Sequence, residues 1–492
     1  MLIQLPNQPI RCQNLVGGAW RDLGDRPRID VTSPYTGQVI GTVPMSGPGE
    51  VAAAVEAAHA AAVDWREVPL KKRTQTLFRF REQLIANLEE LSNLAAIESG
   101  KAMDEARASV LKGIEVVEFA LSLQNLDDGG AREVSRGVTC EVRREPLGVV
   151  AGITPFNFPA MVPMWMFPIA ITVGNAFVLK PSEKVPLTSC RLGELMVEAG
   201  FPPGIFSIVH GGREAVESLI DHPNVAAIGF VGSTAIARQV YARATGLGKR
   251  ALALGGAKNH LIVVPDADPA VTVPGVVSSF TGCAGQRCMA ASLMVAVGDV
   301  DPLIDAISER AASMQLGRDM GAIINRASLD RLRAAIDQAA ADGINVRVDG
   351  RTAKAPDGCD GGTWLAPTVL DGASPDQECA TRELFGPVLT IVRVPTLEAA
   401  LQLEHGNHYG NATSVFTTRG AVARYVADRA TSGMVGVNIG VPVPREPFSF
   451  GGAKDSRFGL GDMTGRGGVE LWTQLKKITT KWELQSDANW MS

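Results

Sequence analysis

Cysteine is scarce and scattered: seven in 492 residues, at positions 12, 140, 190, 283, 288, 359 and 379, with no Cys-x-x-Cys. An odd, thin set does not form a disulfide framework, so a reducing compartment, the cytoplasm, is expected. Basic clusters are missing too. Lys and Arg total 47 against 52 Asp and Glu, a net charge of −5, which argues against nucleic acid or an anionic membrane as partner. The first sixteen residues hold no apolar run behind basic residues, so no signal peptide is expected. Long uncharged runs are rare. The exception, residues 146–179, is long enough to span a bilayer. Five prolines, at 146, 155, 159, 163 and 168, together with Asn157 and Asn175, argue instead for a buried strand, loop and helix. For a metal, Cys283 and Cys288 have no nearby partner except His260, short of the four ligands a structural site needs, and no metal is expected.

What is present is a regular alternation. Length predicts two to four domains. The first part reads as mostly helical, with helices over 50–63, 71–88, 91–99 and 103–123, the last closed by Asp127-Asp128-Gly129-Gly130, and then a strand over 137–144. Apolar strands follow at 148–153, 177–179, 205–209, 225–231 and 250–254, separated by helices over 161–173, 187–199, 213–220 and 233–244. That order predicts an α/β fold with a parallel sheet covered on both faces, binding ligands at the carboxyl ends of its strands. A second α/β unit is expected from strands at 261–264, 293–297, near 346 and at 389–394, and the tail 468–482 alternates as a strand.

Four stretches carry chemistry. In "FTGCAGQRCMA", residues 280–290, Cys283 reads as a small buried hydrophobe. Cys288 follows Gly285, Gln286 and cationic Arg287, and positive charge favours a thiolate nucleophile. In "LKPSEK", Lys180 and Glu183 end a strand where a nucleotide ribose would lie, Glu183 accepting from a 2′-hydroxyl; a solvated turn is the plainer alternative. In "FVGSTAIA", Ser233 opens a helix suited to a diphosphate, or is an ordinary cap. In "ITPFNFP", Asn157 is either an oxyanion donor or a buried amide serving its loop.

Together these stretches resemble the aldehyde dehydrogenase superfamily, from "VTSPYTGQVIGTVP" (31–44) to "TQLKKITTKW" (473–482), with Glu383-Leu-Phe385-Gly-Pro as a further shared motif. The resemblance implies a Rossmann-type NAD-binding domain (1–129 and 147–254), a second α/β catalytic domain (255–467) and a small β oligomerisation arm (130–146 and 468–492) serving a homotetramer, a dimer of dimers. It implies Cys288 as nucleophile, with Asn157 and the Cys288 N–H as oxyanion hole. Lys180 and Glu183 would contact the adenosine ribose, Ser233 the diphosphate, Glu383 the nicotinamide ribose and Phe385 the ring. Thr154, Phe156, Lys184 and Gly255 would complete the cofactor site.

One residue departs. Hydrolytic relatives carry Glu-Leu-Gly-Gly-Lys, whose Glu activates water; here the stretch is "ALGGAKNH" and Ala253 stands in its place. A methyl group takes no proton, so water attack on an acyl-enzyme lacks its base, whereas a thiol such as coenzyme A brings its own nucleophile. "GAKNH", "FPAMVPMWMFPIA" and "GQRCMA" resemble the CoA-acylating branch, which oxidises malonate and methylmalonate semialdehydes through a thioester that loses carbon dioxide, giving acetyl-CoA or propionyl-CoA. The alternative is a hydrolytic enzyme for another short or acidic aldehyde. A 3-oxo acid needs a cation for its carboxylate: Arg287 is the first candidate and Lys112, where the branch usually has Arg, the second. Gly440, Arg445 and Glu446 depart from a mostly apolar loop at the aldehyde entrance. A cysteine hydrolase using Cys288 with His260 or His405 is the rival from another class.

Overall fold

The computed structural model describes residues 3–125 and 129–482; the Asp127-Asp128 stop and the tail from 483 lie outside the described residues. Five strands, Arg250–Leu254, Val225–Val231, Val149–Ile153, Ala176–Lys180 and Phe206–Ile208, run parallel in that order. Their residues are almost all buried, as a parallel sheet covered on both faces requires. A second sheet runs Asn345–Val348, Thr368–Asp371, Val388–Val394, Leu293–Val297, His260–Val263, Ala412–Phe416 and Met434–Val437, parallel except at its first strand. A third, three-stranded sheet pairs Thr473–Lys481 with Val138–Pro146 and that strand with Gly130–Ser135.

The uncharged run resolves into strand Val149–Ile153, a loop, helix Met161–Thr172 and strand Ala176–Lys180. All twelve residues of that helix are buried. Its Phe167 ring lies 5.8 Å from Phe80, 4.8 Å from Phe206 and 6.3 Å from Phe177. Every face meets the core, so it has no solvent side on which to place a charge. Among the described residues, no helix is long and apolar enough to cross a membrane.

The four expected helices are present, as Pro48–Trp65, Leu70–Ala86, Leu88–Ser99 and Met103–Ser122, but strands not expected from the sequence, Ile10–Arg11, Asn14–Val16, Ala19–Arg21, Arg28–Thr32 and Val39–Pro44, precede them. Two of these strands extend the edge of the first sheet antiparallel. They are short, so they lack the apolar runs that mark the central strands. The tail is a strand only from Thr473, because Gly465–Trp472 is a helix. Val469 and Trp472 lie one turn apart and are buried with Leu471 in the first core. Gly468 lets the helix close on Ile169, whose Cδ1 would lie 2.9 Å from an added Cβ. The period-two spacing of Val469, Leu471 and Thr473 is therefore coincidental.

Asn175 ties this region together. Its Oδ1 accepts from the N–H groups of Leu147 and Gly148 at 2.7 and 3.1 Å. Its Nδ2 donates to the carbonyls of Ala170 and Trp472 at 3.0 and 2.9 Å. The side chain is fully buried with all four bonding directions used. Replacing it by Ala strands several buried backbone groups, each worth about 1–3 kcal/mol. Asn175→Ala is thus expected to lower the unfolding free energy by about 3 kcal/mol in urea titration; a loss under about 1 kcal/mol would show that water replaces the amide.

Candidate active site

Because the strands of the first sheet are parallel, their carboxyl ends line up. Val149–Ile153 leads into Thr154 to Phe158, Ala176–Lys180 ends on Lys180, Val225–Val231 runs into Ser233, and Arg250–Leu254 into Gly255. These ends wall a cleft of about 1120 Å³ that reaches Gln239 and Arg243 at one side and Cys288, Glu383 and Phe385 at the other. Thr154, Phe156, Asn157, Lys180, Glu183, Lys184, Ser233 and Gly255 all line it, so the expected cofactor and catalytic positions converge in one cavity. Arg287 and Lys112 do not line it.

Along the cleft the groups suit a dinucleotide. Lys180, buried, donates to Glu183 at 3.2 Å. Burial lowers the lysine pKa against the pull of Glu183. Burial raises Glu183, but Lys180 and neighbouring donors bring it below the usual value. The two shifts do not mirror each other because the ammonium lies deeper. Ser233 caps the thirteen-residue helix Thr234–Gly246, yet its side chain makes no cap hydrogen bond, leaving the hydroxyl for a ligand. Phe385, at φ 58°, sets its ring edge-on to Phe156 at 5.8 Å. The Lys184 ammonium lies 5.0 Å from the Phe156 ring centre.

The nucleophile segment is backbone-strained. Cys283, Ala284 and Gly285 have φ of 54°, 52° and 69°, three left-handed residues in succession. Gly285 is required: a Cβ there would lie 2.1 Å from the Gly386 carbonyl. The segment is held from several sides. Glu105 accepts from the Cys283 N–H at 2.7 Å, Gln286 accepts from Ile324 N–H at 2.9 Å, and Asn157 Nδ2 donates to the Gln286 carbonyl at 3.0 Å. Asn259 and Asn411 both donate to the Cys288 carbonyl, at 2.7 and 3.0 Å. Lys101 donates to the Asn157 carbonyl and lies 4.1 Å from the Phe158 ring centre. Glu105, Asn411 and Lys101 carry no sequence signal; Asn259 sits inside the "GAKNH" stretch but is not singled out there.

Cys283 is buried in the core, as expected, and burial raises its pKa. Cys288 lines the cleft. Burial first, then the charge of Glu383, pushes its thiol up to about 12 against the lowering influence of its own N–H, Arg287 and the Met289 N–H. The expected thiolate stabilisation by Arg287 is therefore outweighed. Arg287 Nη2 donates to the carbonyls of Ser278 and Ser279, and its guanidinium covers Gly282. Glu383 accepts from Ala257 N–H at 2.9 Å. Burial lifts it to about 7 despite that bond and the charges of Lys258 and Arg331. Ala253 is fully buried in its strand. Lys112 donates to Glu115 at 2.9 Å and Glu446 at 2.8 Å.

Comparison with known proteins agrees with this geometry. Residues 20–478 match the aldehyde dehydrogenase family. Malonate-semialdehyde dehydrogenase 1 of Geobacillus kaustophilus (strain HTA426) is 41% identical over 478 residues, 96% of this chain and 98% of that one. The mitochondrial methylmalonate-semialdehyde dehydrogenase [acylating] of Arabidopsis thaliana is 39% identical, covering 97% of this chain and 80% of its own. Among solved structures, a Sinorhizobium meliloti 1021 protein assigned to methylmalonate-semialdehyde dehydrogenase and complexed with NAD superimposes with a TM-score of 0.96 at 39% identity, over 98% of this chain and all of the other.

A thiol raised this far reacts through a small thiolate fraction. Alkylation of Cys288 by iodoacetamide, followed by peptide mass, is expected to rise about tenfold per pH unit from about pH 6 to 9 without levelling. Glu383→Gln removes the negative charge and should speed it several-fold. A plateau below about pH 8 in the unmodified chain would show the thiolate to be stabilised instead.

Proposed function

Since the chain belongs to the aldehyde dehydrogenase family, we propose that it catalyses the NAD-dependent, CoA-acylating oxidation of malonate or methylmalonate semialdehyde, releasing carbon dioxide and acetyl-CoA or propionyl-CoA. The observation that carries this reading is Ala253: a buried methyl group stands where hydrolytic relatives have their base, while the nucleophile loop is intact. The relatives named above support the substrate class.

Cys288 Sγ attacks the aldehyde carbon. The thiol proton leaves as the C–S bond forms, and Glu383, which lines the same cleft and is lifted to about 7, is the candidate to accept it. Asn157 spends one amide hydrogen on Gln286 and keeps the other for the oxyanion, beside the Cys288 N–H. NAD, when bound, supplies the hydride acceptor. Lys180 and Glu183 hold its adenosine ribose, Ser233 its diphosphate, and Glu383 and Phe385 its nicotinamide end, with Thr154, Phe156, Lys184 and Gly255 lining the cleft between. The thioester left on Cys288 carries a β-carboxylate, loses carbon dioxide, and passes to coenzyme A. The carboxylate cation is Arg287 or Lys112. Hydrolysis is the second reading, and Glu383 is the observation that favours it, because a carboxyl lifted to about 7 in the same cleft as the thiol is able to activate water.

The arm supports a homotetramer, because Thr473–Lys481 lies at the outer edge of its sheet, open to a second copy. Seven free cysteines suit the cytoplasm.

The decisive measurement is NADH formation from methylmalonate semialdehyde with and without coenzyme A, with product mass. Coenzyme A dependence and propionyl-CoA are expected; a free acid formed without coenzyme A would establish the hydrolytic reading. Cys288→Ala is expected to abolish NADH formation, and retained turnover would sink the thioester route.

A further inference from the structure

The loop 438–450 bridges the nucleophile side and the helix Met103–Ser122. At one end, Ser279 Oγ donates to the Gly440 carbonyl at 2.6 Å, at the same helix end whose carbonyls hold Arg287. At the other, Glu446 accepts from Lys112 at 2.8 Å. Between them, Val441 and Val443 pack on the core cluster that Cys288 also touches.

Lys112 faces the same way as a residue already bound to the nucleophile segment. Glu105, which accepts from Cys283 N–H at 2.7 Å, lies seven residues earlier on the same helix. Seven residues are nearly two full turns, so the two side chains share a face. The neighbouring Gly113 meets Met164, in the helix that follows the Asn157 loop. Of the two candidate carboxylate cations, Lys112 is therefore the one on the helix face that also meets the nucleophile segment.

That cation is already taken. Lys112 holds Glu115 at 2.9 Å and Glu446 at 2.8 Å, and Arg445 lies 3.6 Å from Glu115. Two cations and two carboxylates sum to zero. Glu446 is only 10% exposed and Lys112 17%, so solvent does not screen this pair as it screens a surface one.

We propose that Glu446 is a specificity-determining residue: it occupies Lys112 as an internal carboxylate, which an anionic aldehyde must displace and an uncharged one need not. The inference rests on the semialdehyde reading above. It makes this chain more tolerant of uncharged short aldehydes than a site with a free cation would be. Glu446 belongs to the loop departures noted in the sequence.

The test is the ratio of kcat/KM for malonate semialdehyde over propanal, with NAD and coenzyme A present. Glu446→Gln is expected to raise the ratio about tenfold, the scale of one charge-assisted hydrogen bond. Adding Lys112→Met should return it to the starting value. Both aldehydes are measured on one protein, so a general defect moves them together, and Glu446→Ser carries the same expectation should the amide variant fail to fold. An unchanged ratio in both variants, or a rise that survives Lys112→Met, overturns the inference alone. If neither aldehyde yields NADH with the unaltered chain, the semialdehyde reading fails and the inference with it.

Discussion

A chain that passes through three left-handed residues in succession does not support itself. Cys283 and Ala284 both carry a Cβ, and each costs about 1–2 kcal/mol in that region. The turn persists because unrelated parts of the molecule hold it. Glu105 comes from the helical layer before the first sheet, Asn157 from a strand end of that sheet, and Asn259 and Asn411 from the second sheet. Gly386 presses on Gly285 from the segment that also carries Glu383. The position of Cys288 therefore depends on both sheets being correctly placed against each other, and the cleft exists only once they are.

Within the cleft, burial dominates charge. Cys288 and Glu383 are both driven toward their neutral forms, and the nearest cation in sequence, Arg287, spends one arm on helix-end carbonyls. An uncharged thiol beside a carboxyl near neutrality is a quiet resting arrangement. It avoids indiscriminate alkylation yet keeps a proton acceptor within electrostatic reach. Lys180 follows the same logic, its deep ammonium losing more to burial than it gains from Glu183, whereas Glu183 itself is held below its usual value by Lys180 and neighbouring donors.

The central strands were legible because complete burial forces continuous apolar runs, as in Val225–Val231 and Leu293–Val297. The strands before residue 45 were not, because a strand of two to six residues has too few positions to show a period. Gly465–Trp472 misled for a related reason: over eight residues, helical and alternating patterns overlap. At the site, residues within motifs converge on one cleft, since strand ends bring them there. The supporting contacts were invisible. Glu105 lies 178 residues from the N–H it binds, Asn411 lies 123 from the carbonyl it holds, and Glu446 lies 334 from Lys112. Such pairings are decided by tertiary packing, and no local pattern announces them.

The four bonds of Asn175 bear on the proposed assembly as well as on folding. Leu147 and Gly148 follow one arm strand directly, and Trp472 immediately precedes another, so a single buried amide clamps the roots of two of the three arm strands to the first sheet. Both strands are thereby tied to the core at those ends. A second copy meeting the arm would find a surface already set in direction, and would not have to bear the entropy of ordering a loose hairpin. Movement imposed at the arm would likewise be felt at strand Ala176–Lys180, which begins at the residue after Asn175 and ends at Lys180 in the cleft.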